Sequence, residues 1–207
     1  GDVRVVQSAF GYHANLNPDS RAYNYDLAGG GIMDVGCYPS SAARLVAGAA
    51  SGKPFLNPIE VKASGVIGDT GVDTYTSAVL KFENDVIGQI STAVACKIPG
   101  EVTVFGTDGI LTVPNPWLPS TPCRTAKTAL KLYTTFPSSE IHLQRKSETE
   151  VITIDVDRDL FTYEADVVAN NIISREAPAM SWADTEGNIR LLDEWRAQID
   201  LTYPQDS

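Results

Sequence analysis

An α+β fold, one large, mostly antiparallel open sheet with helices packed on a single face, follows from three features of this 207-residue sequence. Apolar and polar residues alternate through consecutive segments between Ile59 and Val113, the period of a half-buried strand. Short polar turns such as Glu83-Asn84-Asp85 connect those segments, which suits antiparallel strands and leaves no room for the crossover that parallel ones require. Helical spacing is confined to a stretch after three consecutive glycines and to the chain from Leu160 onward.

The first element, Val3 to Phe10, is β-rich and partly alternating. A polar loop from Asn15 to Asp26, containing Asn-Pro-Asp-Ser, leads to Gly29-Gly30-Gly31. The helix after the glycines is predicted to run to about Gly48, with Leu45, Cys37 and Ala42 as its apolar stripe and a kink at Pro39. Strands follow at Ile59–Ile67 and Asp73–Phe82, and Val86–Cys96 returns the chain as a hairpin. Val102 to Val113 is a second pair around Gly106-Thr107-Asp108-Gly109. Pro114 to Pro122 reads as an irregular loop, and 129–134, 141–146 and 150–156 as weaker strands. Leu160, Tyr163, Val167, Val168 and Ile172 recur at helical spacing. Ser181-Trp182-Ala183-Asp184 has the form of a capping box ahead of a stripe of Ile189, Leu192, Trp195 and Ile199. No repeat, low-complexity tract or linker divides residues 1–207, which read as a single domain.

Hydrophobic residues make up 43% and charged ones 20%, an ordinary balance for a globular chain, but the net charge is −10. That charge repels polyanions, and no basic footprint for nucleic acid is present. No apolar run approaches the roughly 20 residues that cross a bilayer. Cys37, Cys96 and Cys123 are odd in number and form no CxxC pair, so they read as reduced thiols of a cytoplasmic protein, with Cys37 a small buried filler. His13 and His142 share no metal-ligand spacing with carboxylates, which predicts no metal site. His13, Lys97 and Arg44 read as solvent or ion-pair residues, and Trp117, Trp182 and Trp195 as core or interface. The chain opens Gly-Asp-Val, which reads as a start internal to a longer protein.

Two phosphate-loop lookalikes fail. The glycines of Gly65 to Gly71 have the wrong spacing for a dinucleotide fingerprint and lead into a strand, where a helix N-terminus is needed to hold a pyrophosphate. Gly48 to Pro54 is one residue short of a P-loop and lacks the hydroxyl residue after the lysine. No Gly-x-Ser-x-Gly elbow is present.

The stretch Gly29-Gly30-Gly31-Ile32-Met33-Asp34-Val35-Gly36-Cys37-Tyr38 carries the chemistry. Without Cβ atoms, the glycines let a ligand or another chain segment sit against the main chain. On a helix, Asp34 and Tyr38 project from one face about a turn apart. From the residues alone, two readings stand. Both side chains flank a substrate, or Asp34 caps the glycine-led helix while Tyr38 packs in the core.

Ala28 to Gly48 resembles the signature of the C-terminal domain in the Gfo/Idh/MocA oxidoreductases, relatives of glucose–fructose oxidoreductase, inositol dehydrogenase and dihydrodiol dehydrogenase. Gly1 to Phe10 resembles the opening strand of that domain and Phe105-Gly106-Thr107-Asp108-Gly109 its Gly-Thr-x-Gly hairpin. Tyr163-Glu164-Ala165-Asp166 and Arg190-Leu191-Leu192-Asp193 resemble its closing helices. The family pattern places an Asp and, four residues on, a His or Tyr beside the substrate; these fall on Asp34 and Tyr38. Tyr at the second position resembles the dihydrodiol and aldose branch. Removing a hydroxyl proton accompanies hydride transfer from an alcohol, and a phenol, of ordinary pKa about 10, serves only where cations lower it. In such enzymes an N-terminal Rossmann domain supplies the nucleotide and a lysine in Glu-Lys-Pro. Neither is in this sequence, where Lys53-Pro54 follows Gly52.

The resemblance therefore implies a substrate-binding and oligomerising C-terminal domain, partnered by a Rossmann domain outside this sequence. It implies NAD or NADP in the full-length enzyme, no cofactor held by this chain, and no activity from the chain alone. It also implies a sugar, polyol or diol substrate. From their positions, Asn15, just past the first strand, reads either as a turn residue or as a substrate contact to a sugar hydroxyl, and Tyr163 either as part of its helix's apolar stripe or as a substrate contact on the cofactor side. An open sheet with helices on one face leaves the other face to be covered, which predicts a homodimer or homotetramer through it. The competing reading is a stand-alone sheet domain for assembly or small-ligand binding without chemistry.

Overall fold

The computed structural model describes residues 1–119 and 138–206. Its elements are β1 (Val3–His13), α1 (Gly31–Val35), α2 (Cys37–Ala49), β2 (Glu60–Ile67), β3 (Asp73–Lys81), β4 (Ile87–Ala93), β5 (Ala95–Ile98), β6 (Val102–Gly106), β7 (Ile110–Val113), β8 (Ser139–Arg145), β9 (Glu148–Ile154), α3 (Leu160–Asn171) and α4 (Trp182–Ala197). The strands form one open sheet in the order β2-β3-β4-β1-β6-β7-β8-β9, with β5 paired to the far end of β1. Every pairing is antiparallel except β1 with β4, which run parallel. The strand expected at 129–134 lies outside the described residues, as does Cys123. Among the described residues no helix is long and apolar enough to cross a membrane.

Alternation along the strands sorts residues between two faces. Val61, Ala78, Leu80, Ile90, Val6 and Val102 are buried on one of them, against α2 and α4. The other face carries Gln7, Ser77, Gln89 and Ser91, joined by a Gln7–Gln89 hydrogen bond of 2.6 Å and a Ser77–Ser91 contact of 2.8 Å, beside half-exposed Tyr75 and Val79. Trp195 of α4 is fully buried, and its indole N–H donates to Thr76 Oγ1 at 2.9 Å.

The predicted kink is a break at Gly36. Pro39 is the third residue of α2 and has no N–H to offer the Val35 carbonyl one turn back, so α1 ends there. The buried side of α2 is made of small residues, Ser40, Ala43, Ala47 and Gly48, together with Arg44. The predicted stripe, Cys37, Ala42 and Leu45, points instead along a groove. On α4 the buried set is Gly187, Leu191, Leu192, Trp195 and Arg196, and Ile189 is half exposed. The Ser181 hydroxyl accepts from the Asp184 amide at 3.1 Å, as a capping box requires. α3 buries none of its residues; Phe161, Val168 and Ile172 stand exposed along one side.

Arg44 is completely buried and binds α2 to α4. Its guanidinium donates to Asp184 Oδ1 at 2.6 Å and to Asn57 Oδ1 at 2.9 and 3.0 Å, and it stacks 4.7 Å over the Phe55 ring. Gly187 makes the room, since a Cβ there would stand 2.4 Å from an Arg44 nitrogen. Removing one partner of a buried pair strands the other, at a cost of about 3–5 kcal/mol. Arg44→Ala should therefore lower unfolding free energy by about that amount in urea titrations; a loss under about 1 kcal/mol would class the pair with surface ion pairs.

At the start of β3, buried Asp73 accepts the Ile32 amide at 3.0 Å and fills the space beside Gly30 and Gly31. Burial pushes its carboxyl up to about 6, against the pull of the α1 amides and Arg196. A carboxyl raised on folding holds its proton more tightly in the native state. Its stabilising contribution is complete below the unfolded value of about 4 and declines as pH rises through about 6. Asp73→Asn keeps the acceptor and removes the titration. The melting temperature of the parent relative to this variant should fall between pH 4 and pH 7; a constant difference would rule the coupling out.

Candidate active site

β1 lays out the floor. Residues of one parity share a face, so Val6, Ser8, Phe10 and Tyr12 all point toward the helices. Tyr12 donates its hydroxyl hydrogen to Asp34 Oδ2, and Tyr38 meets Phe10 edge to face at a centroid distance of 5.1 Å. Asp34 on α1 and Tyr38 on α2 are thus arranged one after the other over neighbouring positions of the same strand, despite the break at Gly36 between them.

Asp34 is nearly buried, its side chain 8% exposed, and both oxygens are engaged: Oδ2 by Tyr12 and Oδ1 by the Arg21 guanidinium. It does not cap the helix, because Asp73 occupies that position. Tyr38 is not in the core either. It is 43% exposed, and its hydroxyl makes no hydrogen bond within the described residues. Its ring belongs to an aromatic cluster with Phe10 and Trp117, the latter 5.6 Å away. Trp117 stacks on Phe10 at 5.9 Å and is fixed by an N–H bond of 3.0 Å to the Ala9 carbonyl, which folds the Pro114–Pro119 segment back over β1.

From Tyr38 a groove of about 650 Å³ runs along α2. Ser41, Ala42, Leu45 and Val46 form one wall, and Val102, Val104, Leu111 and Val113 of β6 and β7 the floor. Trp117, Met180 and Asn188 close it. The lining is apolar apart from Ser41 and Asn188, and Asn188 already donates to the Cys37 carbonyl at 3.1 Å. Cys37 is half buried there, and burial pushes its thiol up, away from the thiolate.

The two remaining predicted contacts are Asn15 and Tyr163. Asn15 is exposed on the loop after β1, with no hydrogen bond to Asp34 or Tyr38. Tyr163 on α3 bonds Asp157 at 2.8 Å and lies beneath Arg158. Sequence reasoning missed Tyr12, Arg21, Phe10 and Asp73. The parity of Phe10 and Tyr12 on the opening strand was an available signal for those two; Arg21 and Asp73 have none that is local.

The triple glycine is closed to a dinucleotide. Its helix N-terminus already receives the Asp73 carboxylate, and a Cβ on Gly30 would come within 2.2 Å of Asp73 Oδ1. The residues at this helix start thus do not fit a pyrophosphate. Among the described residues no group of three His, Cys, Asp or Glu could hold a metal ion.

Comparison with known proteins gives a consistent family. The chain is 30% identical over 210 residues to trans-1,2-dihydrobenzene-1,2-diol dehydrogenase of Danio rerio, matching all of this chain and 57% of that protein. The Mus musculus enzyme of the same name is 27% identical, over all of this chain and 56% of its own length. The chain thus spans little more than half of these relatives. Solved structures share the fold as well. KijD10, a 3-ketoreductase from Actinomadura kijaniata in complex with NADP and TDP-benzene, superposes with a TM-score of 0.72 at 20% identity, covering 96% of this chain and 55% of KijD10. Aldose–aldose oxidoreductase from Caulobacter crescentus, complexed with glycerol, gives 0.72 at 19% identity, over 97% and 54%. Residues 1–112 match the GFO/IDH/MocA C-terminal domain, and with more than half of its length inside that match, the chain belongs to this family.

Proposed function

We propose that this chain is the substrate-binding and oligomerising domain of an NAD(P)-dependent oxidoreductase that acts on a diol, polyol or sugar hydroxyl, or the matching carbonyl, by hydride transfer. The nucleotide would be carried by a Rossmann domain outside this sequence, and the chain alone would be inactive. Two similarities support the reading: the dihydrodiol dehydrogenases in sequence, and in fold a ketoreductase whose structure contains NADP.

One observation carries it. A phenol whose hydroxyl has no hydrogen bond among the described residues stands at the head of an open groove, and a carboxylate is anchored on the same strand. Ionised with the help of a cation such as the lysine that the Rossmann domain would bring, the Tyr38 phenolate can accept the proton of a substrate alcohol, and as the phenol it can return that proton to a carbonyl oxygen. Each Asp34 oxygen keeps an acceptor site after its present bond, enough to take a substrate hydroxyl and set its orientation. The walls favour a flat or partly apolar ring: an apolar groove gives a hydroxyl-covered sugar few partners in exchange for its lost water. Among the candidates, a cyclic diol therefore suits this cleft best. The exposed sheet face with Tyr75, Val79, Gln7 and Gln89 would serve as the assembly surface.

In the intact enzyme, assayed on trans-1,2-dihydrobenzene-1,2-diol with NADP and then NAD, Tyr38→Phe and Asp34→Asn should each lower turnover on the order of 100-fold. Rates near those of the parent in both variants would remove these residues from the reaction. Light scattering should give a dimer or tetramer that Val79→Glu shifts toward monomer; a parent protein already monomeric would exclude the face as an interface.

A further inference from the structure

We infer that Arg21 and Tyr12 are positioning residues that hold the Asp34 carboxylate in its working orientation. The inference rests on the proposed role of Asp34 and adds the means by which a carboxylate on a five-residue helix is aimed.

The argument starts from cost. A carboxylate only 8% exposed has lost most of its water, and such a group is tolerated when charged donors replace that water. Tyr12 supplies one bond to Oδ2 and Arg21 one to Oδ1, so the two oxygens are fixed from opposite partners. Rotation of the carboxylate would break both bonds. Tyr12 is held because it is part of β1, at the centre of the sheet.

Arg21 is 75% exposed, yet its backbone is fixed. The turn that carries it is closed by amide bonds from Ser20 to Asn17, Tyr23 to Ser20 and Asn24 to Ser20 at 2.9–3.0 Å. Tyr23 pins that turn to the sheet, donating within 3.0–3.1 Å of the Ala14 and Val94 carbonyls. Gly30 donates to the Ala22 carbonyl at 2.9 Å, and a Cβ on Gly29 would stand 2.8 Å from the Arg21 carbonyl oxygen. Gly29 and Gly30 therefore leave room for the turn that carries Arg21 and hold it in place, so the guanidinium reaches Asp34 from a fixed base.

The inference predicts a loss in turnover more than in binding. In the intact enzyme, with the same diol and cofactors, Arg21→Gln should lower kcat by roughly 10- to 100-fold, the scale of a small misplacement of a reacting group, with KM changed by less than about 3-fold. Arg21→Lys, which keeps a cation, should recover part of the loss. Tyr12→Phe should act in the same direction, and the double variant should lose less than the product of the single losses, because both act through one carboxylate. If Asp34→Asn depresses kcat while Arg21→Gln and Arg21→Lys match the parent, positioning by Arg21 is overturned and the reading of the active site survives. If Asp34→Asn itself turns over at the parental rate, both fall. An Arg21→Gln effect confined to KM would mark a direct substrate contact and also overturn the inference.

Discussion

The carboxylate of Asp73 is buried at the start of β3, and the positions of α1, α2 and the loop before them follow from it. It receives the first amides of α1 and occupies the volume that side chains at Gly30 and Gly31 would need. Tyr203 reaches the same corner, donating to the Gly29 carbonyl, and its phenol is pushed up by burial and by the nearby Asp73 charge. With the helix start fixed to the sheet in this way, Asp34 falls over Tyr12 and Tyr38 over Phe10. A buried ionisable group is an expensive anchor. The gain here is geometric, since it fixes the origin of the short helix that carries Asp34.

Two charged groups divide the work of joining helices to sheet. Asp73 fixes where α1 begins, and Arg44 fixes how α2 lies against α4. Both are served by glycines that leave room for them, Gly30 in one case and Gly187 in the other. With α2 held by its small-residue side, its larger apolar residues are left to line the groove. One helix therefore contributes to the core with alanines and to the cleft with Tyr38 and Leu45.

Most of the sheet was legible in the sequence because strand alternation is local: β2, β3, β4, β6 and β7 all fall within a few residues of their predicted limits. The capping box at Ser181 was legible for the same reason. Less so was the buried side of α2, where close packing is achieved by Ala43, Ala47 and Gly48 and a search for large apolar residues selects the groove wall instead. On α4, Leu191 replaces Ile189 because the two differ in helical phase. Asp34 and Tyr38 stood out by spacing, but their supports did not. Tyr12 is 22 residues from Asp34, Arg21 13 residues, and Asp73 41 residues from Ile32. Such pairs depend on topology, which periodicity does not encode.

The lone parallel pairing in the sheet has a kinetic meaning. β2, β3 and β4 are successive neighbours joined by tight turns, so that meander closes only short loops. β1 can join β4 only after more than seventy residues of intervening chain have been gathered in, between His13 and Ile87, and closing long loops is what slows folding. Phe10 and Tyr12 ride on that strand. Docking of β1 is therefore the event that assembles the candidate site, and any excursion that releases this strand parts Tyr12 from Asp34 and Phe10 from Tyr38 while leaving the β2–β4 meander paired.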